Sequence, residues 1–423
     1  MRKIALVALL LFFLSVTIVG AAAIEELAWR DCVEQARQNH PDLAAAEEQV
    51  NQAKADKAIE TSALFPQIDA ETSARTSRAA TADDESDSYA YGATAQQLIF
   101  DGFQTVNNIN SARENLSSEQ YNYAVTSSDI RLNLRMAFVG LLKAQELLAI
   151  TEDIAARRKE NVELVKLRYE AGREHKGSLL NSQANLAQAE FEVSQAKRNI
   201  ELGQRQLTKE LGRRQLTAIK AQGELAIEAV DKEKPDCERL AQNIPFLQAL
   251  IAEKEAARYS LRSAKASFFP EVYASASADK SEEHWPPQND GWSAGVSVSL
   301  PIFEGGSRLA EVAKARAKFK QAKAQEISGR DSVILILEET WKELQDAVEK
   351  VAVEEKFLQA AEERAKITQA QYSTGLISFD NWSIIEDNLV NARKSFLNAK
   401  ATALLAQANW IQAKGGTLED EEK

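Results

Sequence analysis

The chain has 423 residues, of which 44% are hydrophobic, and its 63 acidic and 51 basic side chains give a net charge of −12 at pH 7. A nucleic-acid-binding protein would be expected to present a basic face, so this balance argues against that class. The three histidines lie far apart in the sequence without the spacing of metal ligands, and we expect neither a metal nor a cofactor.

The segment over positions 1–23 has the features of a secretory signal peptide. Arg2 and Lys3 form a basic start, residues 4–19 are apolar, and residues 21–23 are three alanines that suit cleavage. The alternative is a retained membrane anchor, although the apolar stretch is shorter than the ~20 residues that a spanning helix needs. Cleavage would leave 49 basic and 63 acidic residues, a charge of −14. No later segment resembles a transmembrane helix, so we expect strands to make any membrane crossing.

Residues 24–228 are predicted to form a first structural repeat. It opens with a helix and continues with a strand pair over 66–100, in which apolar and polar residues alternate from position 68 to 75. This alternation is typical of outer-membrane barrel strands. A short break that contains Gly172 then separates two further helices, because glycine readily ends a helix. The long helix is predicted over 103–168 and the return helix over 178–212.

Residues 229–414 are predicted to repeat the same layout. The dipeptide Phe65-Pro66 recurs as Phe269-Pro270, an offset of 204 residues. Such a period is too long for a solenoid, so we interpret the chain as a duplicated half-protein. After an opening helix, the second copy is predicted to contain a strand pair over 270–303, a long helix over 306–371 and a return helix over 379–414. A polar C-terminal tail is predicted over 415–423.

The two long helices are predicted from the positions of proline and from an apolar repeat of seven residues. No proline lies between positions 67 and 234 or after 301, and a helix interior tolerates proline poorly. Each helix of 66 residues would be roughly 99 Å long. The apolar repeat predicts coiled-coil packing, and it runs through Leu134, Leu141, Leu148, Ala155, Val162 and Tyr169, then through Leu337, Leu344, Val351, Leu358, Ala365 and Tyr372.

The four predicted strands are too few to close a barrel, for which about eight is the usual minimum. An open sheet in lipid would leave backbone groups without hydrogen-bond partners. Several copies must therefore pool their strands, and three copies would supply twelve. The loops between paired strands carry acidic clusters, 83–87 and 282–283, which we interpret as solvated loop tips.

Cys32 and Cys237 occupy corresponding positions in the two repeats. In an exported protein such a pair would be able to form a disulfide. The alternative is that both are small buried side chains at equivalent places.

The order of elements and three duplicated motifs resemble the TolC-like outer membrane efflux proteins over essentially the whole mature chain. The motifs are Phe-Pro before the strands, Ile-Phe-Asp/Glu-Gly before the long helix and Tyr-x-x-Gly at its end; the most specific stretches are 300–306 and 372–392. The resemblance implies a mainly α fold with a small β part. In it, a homotrimer forms a twelve-stranded barrel in the outer-membrane lipid and a periplasmic α-helical tunnel.

The same resemblance implies the exit duct of a tripartite efflux pump or type I secretion system, with a periplasmic adaptor and an inner-membrane transporter as partners. In that family the hairpin tips face the adaptor, which assigns docking here to Tyr169, Gly172, Tyr372, Gly375 and Leu376. An acidic ring often narrows the pore a few residues further along, which assigns the constriction to Asp380 and Asn381. The position of a second acid is occupied by Ile384. From its sequence context, Asp380 either forms such a ring or caps the return helix.

Three other classes compete with this interpretation. An enzyme would need converging catalytic groups, and the sequence has no motif that supplies them, so we expect no enzymatic activity. A periplasmic adaptor would have one helical hairpin among β-rich domains, whereas hairpins and strand pairs are doubled here. A trimeric adhesin stalk would not explain the Tyr-x-x-Gly breaks. A passive duct leaves the cargo open among drugs, metals, siderophores and polypeptides.

Overall fold

The computed structural model describes residues 25–78, 85–226 and 233–422. The predicted signal peptide, positions 83 and 84 of the first acidic loop and the predicted boundary at residue 228 therefore lie outside the described residues. Within the described ranges, no helix combines the length and the apolar character needed to cross a membrane.

The first half contains a strand pair followed by a hairpin of two helices. Its long helix begins at Gln104 and ends at Glu170, which makes it 67 residues long, or about 100 Å. The elements in chain order are β1 (Glu25–Leu27), α1 (Trp29–Asn39), α2 (Pro41–Ser62), β2 (Gln67–Arg78), β3 (Glu85–Phe100), α3 (Gln104–Glu170), α4 (Lys176–Glu210) and β4 (Ile219–Ala221).

The second half has the same order of elements. Where one opening helix was predicted in each half, the structure has two, because Pro41 and Pro245 each start a new helix at its first position, where the missing N–H is harmless. The elements are α5 (Cys237–Ala241), α6 (Pro245–Ala266), β5 (Glu271–Glu282), β6 (Asp290–Ser299), α7 (Ser307–Thr374), α8 (Phe379–Ala413) and a C-terminal 3-10 helix (Leu418–Glu422).

The helices pack side by side along the long axis of the protein. On the side of the hairpin tips, α3 packs against both α4 and α8, and α7 packs against α8; towards the strands, α3 packs against α2 and α6, and α6 packs against α7. The heptad residues Leu134, Leu141, Leu337 and Leu344 are fully buried in these contacts. A methyl group at Gly203 of α4 would lie 3.3 Å from a Leu141 methyl carbon, so α4 approaches α3 closely.

The four long strands form one antiparallel sheet in the order β2-β3-β5-β6. Because strand residues alternate between faces, one face carries small and apolar side chains, as in the row Ala70, Ala93, Ala278 and Trp292. The other face is more polar, as in the neighbouring row Glu71, Gly92, Asp279 and Gly291. The sheet leaves β2 and β6 as open edges. The mainly α fold with a small β part is therefore confirmed.

The loop predicted between the first two strands is shorter than the sequence indicated. The prediction was wrong for residues 85–87, which belong to β3. Thr76 of β2 donates a hydrogen bond of 2.8 Å to Asp87, so this acidic residue is held within the strand pair. In the second strand pair, the prediction was wrong for Glu282, which is the last residue of β5, whereas residues 283–289 do form the connection.

Cys32 and Cys237 are both free and buried. Cys32 belongs to a core formed by α1, α3, α4 and α8, whereas Cys237 lies in a second core with Trp341 and Trp410. Of the two alternatives for this pair, the structure therefore supports separate buried side chains.

Within the predicted polar tail over 415–423, the segment Leu418–Glu422 forms a 3-10 helix that is docked on the first half. Leu418 is 1% exposed, and its N–H donates to Ser127 of α3 at 3.1 Å. Ser127 in turn donates to Glu419 at 2.7 Å, and the Tyr123 hydroxyl donates to the same carboxylate at 3.2 Å. Burial, together with this carboxylate, raises the pKa of Tyr123 to about 12. The C-terminal segment thus ties the end of the second half to the first.

Leu418→Ala should destabilise the protein by about 2–5 kcal/mol, the usual cost of emptying a buried leucine site. Thermal unfolding of the detergent-solubilised protein measures this as a lowered melting temperature. Leu376→Ala is the matched control, because Leu376 is 76% exposed. Equal melting temperatures for the two variants would contradict a stabilising role for the C-terminal segment.

Candidate functional site at the hairpin tips

The tip of the first hairpin (α3 to α4) and the tip of the second (α7 to α8) lie side by side. The guanidinium group of Arg168, near the end of α3, sits 4.6 Å from the centre of the Tyr372 ring, near the end of α7. Arg168 also donates a hydrogen bond of 2.8 Å to the backbone carbonyl of Tyr372. The combined cation–π contact and hydrogen bond join the two tips into one unit.

Tyr372 is the centre of a small core at these tips. Its ring is fully buried and stacks on Trp382 of α8 at 4.2 Å with an angle of 9° between the ring planes. Phe379 packs edge-on against both rings. The Tyr372 hydroxyl donates to Glu174 in the break of the first hairpin at 3.0 Å. Burial is the main cause that raises the pKa of Tyr372, and the contact with Glu174 adds to it.

Gly172 and Gly375 end the long helices in left-handed conformations, with φ of +70° and +83°. Side-chain-bearing residues rarely adopt this backbone geometry, which explains why glycine occupies both positions. After Gly375, the N–H of Leu376 donates to the carbonyl of Gln371 at 2.9 Å, so the helix end is closed by its own backbone.

The return helices begin with side-chain caps. His175 caps α4 by accepting from the Ser178 N–H at 3.2 Å, and Ser378 caps α8 by accepting from the Asn381 N–H at 3.4 Å. The alternative that Asp380 caps the return helix is therefore wrong, since Ser378 holds that position. Asp380 lies exposed in the first turn, where a negative charge complements the helix dipole.

The predicted docking residues differ in exposure. Leu376 is 76% exposed and Tyr169 is 39% exposed, so both present side chains at the surface of the tips. Tyr372 is fully buried, and its side chain supports the tips from within. Asn381 is exposed, and Ile384 is 57% exposed on the next turn of α8.

A buried ionic cluster lies further from the tips, between α3 and α8. Glu386 is 2% exposed and accepts from Arg157 at 2.6 and 2.7 Å and from Asn161 at 3.3 Å. The hydrogen bonds to Glu386 are the main cause that raises the pKa of Arg157. Beside them, Arg158 donates to Asp387 at 2.5 Å. The sequence does not identify these residues, because charged positions on a helix surface carry no signal that they pair across the chain.

Comparison with known proteins shows the family. The model of the outer membrane efflux protein family matches residues 32–213 and 237–416, which covers most of both halves. This chain belongs to the outer membrane efflux protein family. It is thus an efflux channel of the outer membrane, the exit duct that the resemblance to this family implied, in a family of channel proteins.

Two relatives and one solved structure are distant in sequence but match this chain over most of their length. The chain is 23% identical over 420 residues to the outer membrane efflux protein BepC of Brucella suis, covering 97% of this chain and 86% of that protein. It is 22% identical over 408 residues to the solvent efflux pump outer membrane protein SrpC of Pseudomonas putida, covering 90% of this chain and 83% of that protein. The crystal structure of the outer membrane protein VceC from Vibrio cholerae has the same fold, with a TM-score of 0.82 and 20% identity. The similarity covers 92% of this chain and 96% of VceC.

Tyr372→Phe should lower stability by about 1 kcal/mol at neutral pH, because it removes the hydrogen bond to Glu174. It should also change the response to alkali. In the folded protein, the pKa of Tyr372 is raised above the ordinary value of 10.0. The neutral phenol therefore contributes to stability below about pH 10, and this contribution to the free energy of unfolding is lost as the pH rises above about 10.

Melting temperatures of the wild type and of Tyr372→Phe, measured between pH 8 and pH 11, check this expectation. The wild type should lose stability above about pH 10 more steeply than Tyr372→Phe. Tyr169→Phe, at the exposed tyrosine of the other tip, should keep the wild-type profile. Parallel profiles for the wild type and Tyr372→Phe would contradict the role assigned to the buried hydroxyl.

Proposed function

We propose that three copies of this chain form the exit duct of a tripartite efflux pump or type I secretion system. The observation that carries this proposal is the four-stranded sheet with open edges at β2 and β6. About eight strands are needed to close a barrel, and three copies bring twelve. The similarity to a solvent efflux pump component supports a place in such a pump.

The partners in this proposal are a periplasmic adaptor and an inner-membrane transporter. The adaptor docks on the two hairpin tips, with Tyr169 and Leu376 as exposed contacts. Gly172 and Gly375 give the tips their shape, and Tyr372 holds them together from inside. Because Arg168 and Glu174 of the first tip both bond to Tyr372 of the second, an adaptor bound at one tip also acts on the other.

The pore constriction in this proposal lies at the start of α8, with Asp380 and Asn381. In a closed trimer, three copies of this segment approach the axis. Carboxylates 4 Å apart repel by about 1 kcal/mol per pair in water and by more where the dielectric falls. A ring of Asp380 carboxylates therefore attracts cations and favours their passage.

Native mass spectrometry and bilayer recording test the proposed duct. The detergent-solubilised protein should have the mass of three copies and should conduct ions after reconstitution into a planar bilayer. A stable monomer in the outer-membrane fraction would contradict the proposal.

Leu376→Asp should reduce export several-fold while the outer-membrane level of the protein stays near normal. The change places a charge on an exposed apolar contact of the proposed adaptor surface without touching the buried core around Tyr372. Export of a cargo by cells that contain the matching pump measures the effect.

Leu216→Asp is the control for this change, because Leu216 is similarly exposed, at 51%, but lies far from the tips, in the connection between α4 and β4. It should leave export close to that of the wild type. Normal export by Leu376→Asp would refute docking at this residue.

Asp380→Asn should lower cation selectivity and weaken block by multivalent cations, because it neutralises three charges in one ring. Single-channel recording measures both properties. Melting temperatures should change little, since Ser378 and not Asp380 caps the helix. Unchanged selectivity together with reduced stability would place Asp380 in the fold and not in the pore.

A further inference from the structure

The short helices α8 and α6 meet end to end between the long helices α3 and α7. Helix α8 ends at Ala413, α6 begins at Pro245, and each of them packs against both α3 and α7. A methyl group at Gly415, just after α8, would lie 2.6 Å from a ring carbon of Pro245, so the two helix ends are in close contact. Four helices of one chain therefore surround this junction.

A cavity of about 260 Å³ lies at the junction, and each of the four helices contributes to its wall. The apolar part of the wall includes Val125, Ile244, Phe246, Val333, Ile336 and Ala413. An apolar cavity of about 150 Å³ in another protein binds benzene. This cavity is larger, so it has room for a ring that carries a substituent.

One polar group of the wall lacks the partner that a buried group normally has. Ser128 of α3 lines the cavity and is 3% exposed, and its hydroxyl has no hydrogen-bond partner among the described residues. Buried polar groups are nearly always hydrogen-bonded. The neighbouring Ser127, in contrast, donates to Glu419 at 2.7 Å. Because no bond fixes the Ser128 hydroxyl, rotation about the Cα–Cβ bond can turn it towards a molecule in the cavity.

The charge at the edge of the cavity selects for a neutral molecule. Asp129 is exposed and accepts a hydrogen bond of 2.9 Å from the Gln412 side chain of α8. Of the described residues in the wall, Asp129 alone carries a charge. This carboxylate would repel an anion. A cation would lose its hydration among the apolar side chains.

We propose that the junction cavity is a binding site for a small neutral molecule with an apolar body and one hydroxyl group. The apolar body fills the space between the four helices, and the hydroxyl group hydrogen-bonds to Ser128. The site is built by a single chain, so it goes beyond the proposed duct and does not depend on the trimer. A molecule bound here contacts both halves of the chain, because α3 belongs to the first half and α6, α7 and α8 belong to the second.

Binding of three fluorinated probes to the full chain in lipid nanodiscs tests the site. Fluorobenzene, para-fluorophenol and para-fluorobenzoate represent an apolar, a hydroxylated and an anionic ligand. Fluorine NMR measures their dissociation constants, and empty nanodiscs correct for uptake by the lipid. The wild type should bind para-fluorophenol about fivefold more tightly than fluorobenzene, the usual effect of one hydrogen bond, and should not bind para-fluorobenzoate. Equal affinity for the first two probes, or no binding of para-fluorophenol, would overturn the proposal.

Ser128→Ala should remove the preference for the phenol and leave the affinity for fluorobenzene close to that of the wild type. Its melting temperature without a probe should not fall, because the change breaks no hydrogen bond. Ser127→Ala is the matched control, since Ser127 is also buried but bonds to the C-terminal segment. This control should keep the preference for the phenol and should melt at a lower temperature. A Ser128→Ala variant that still prefers the phenol would contradict the proposed hydrogen bond.

Val333→Phe should abolish the binding of both neutral probes, because the larger side chain fills the cavity from α7. Ala413→Leu fills the cavity from α8 and replaces the first variant if that one does not fold. Val348→Phe is the matched control, because it makes the same change on the same helix about 22 Å away and outside the wall. It should bind the probes as the wild type does. Wild-type affinity in a folded cavity-filling variant would place the probes elsewhere and overturn the site.

Melting temperatures provide a second readout of occupancy. A ligand that binds the folded state stabilises it by mass action, so saturating para-fluorophenol should raise the melting temperature of the wild type but not that of Val333→Phe. An equal rise in both proteins would show that the probe acts outside the cavity and would refute the site. A trimer that conducts ions but does not bind para-fluorophenol would overturn the site and leave the proposed duct intact.

Discussion

The open edges of the sheet are the constraint on which the rest of this structure depends. Within the described residues, β2 and β6 each have one neighbouring strand, so the outward backbone N–H and C=O groups of both strands have no strand partner there. Such groups are costly in hydrocarbon, where no water can bind them. In the proposed trimer, the edges of neighbouring copies pair and supply the missing partners.

Duplication gives each half one strand pair and one hairpin, but the two tips are built differently. The aromatic core of Tyr372, Phe379 and Trp382 belongs to the second tip, and the equivalents of Phe379 and Trp382 in the first tip are Lys176 and Leu179. The first tip adds the apolar side chains of Val165, Leu164 and Leu179 to this core, and its Arg168 and Glu174 bond to Tyr372. The two tips are thus joined into one packed unit by apolar contacts and hydrogen bonds.

The parts of the fold that depend on local pattern could be predicted from the sequence. Proline positions and the seven-residue repeat indicate the long helices, and alternation indicates the strands. Contacts between distant residues could not be predicted, because Arg168 and Tyr372 are joined by packing and not by spacing. The docked C-terminus was missed because Leu418 is one apolar residue in an acidic segment. Ser378 and Asp380 both suit a helix start, and only the backbone geometry shows which of them caps it.

Hydrogen exchange of the edge-strand amides tests the central claim most directly. In membrane-reconstituted protein, the amides of β2 and β6 that point away from their neighbours within the chain should exchange as slowly as those of the inner strands β3 and β5, because they bond to another copy. Fast exchange at these edge amides, with protection retained in the inner strands, would show that the sheet stays open and would contradict closure between copies.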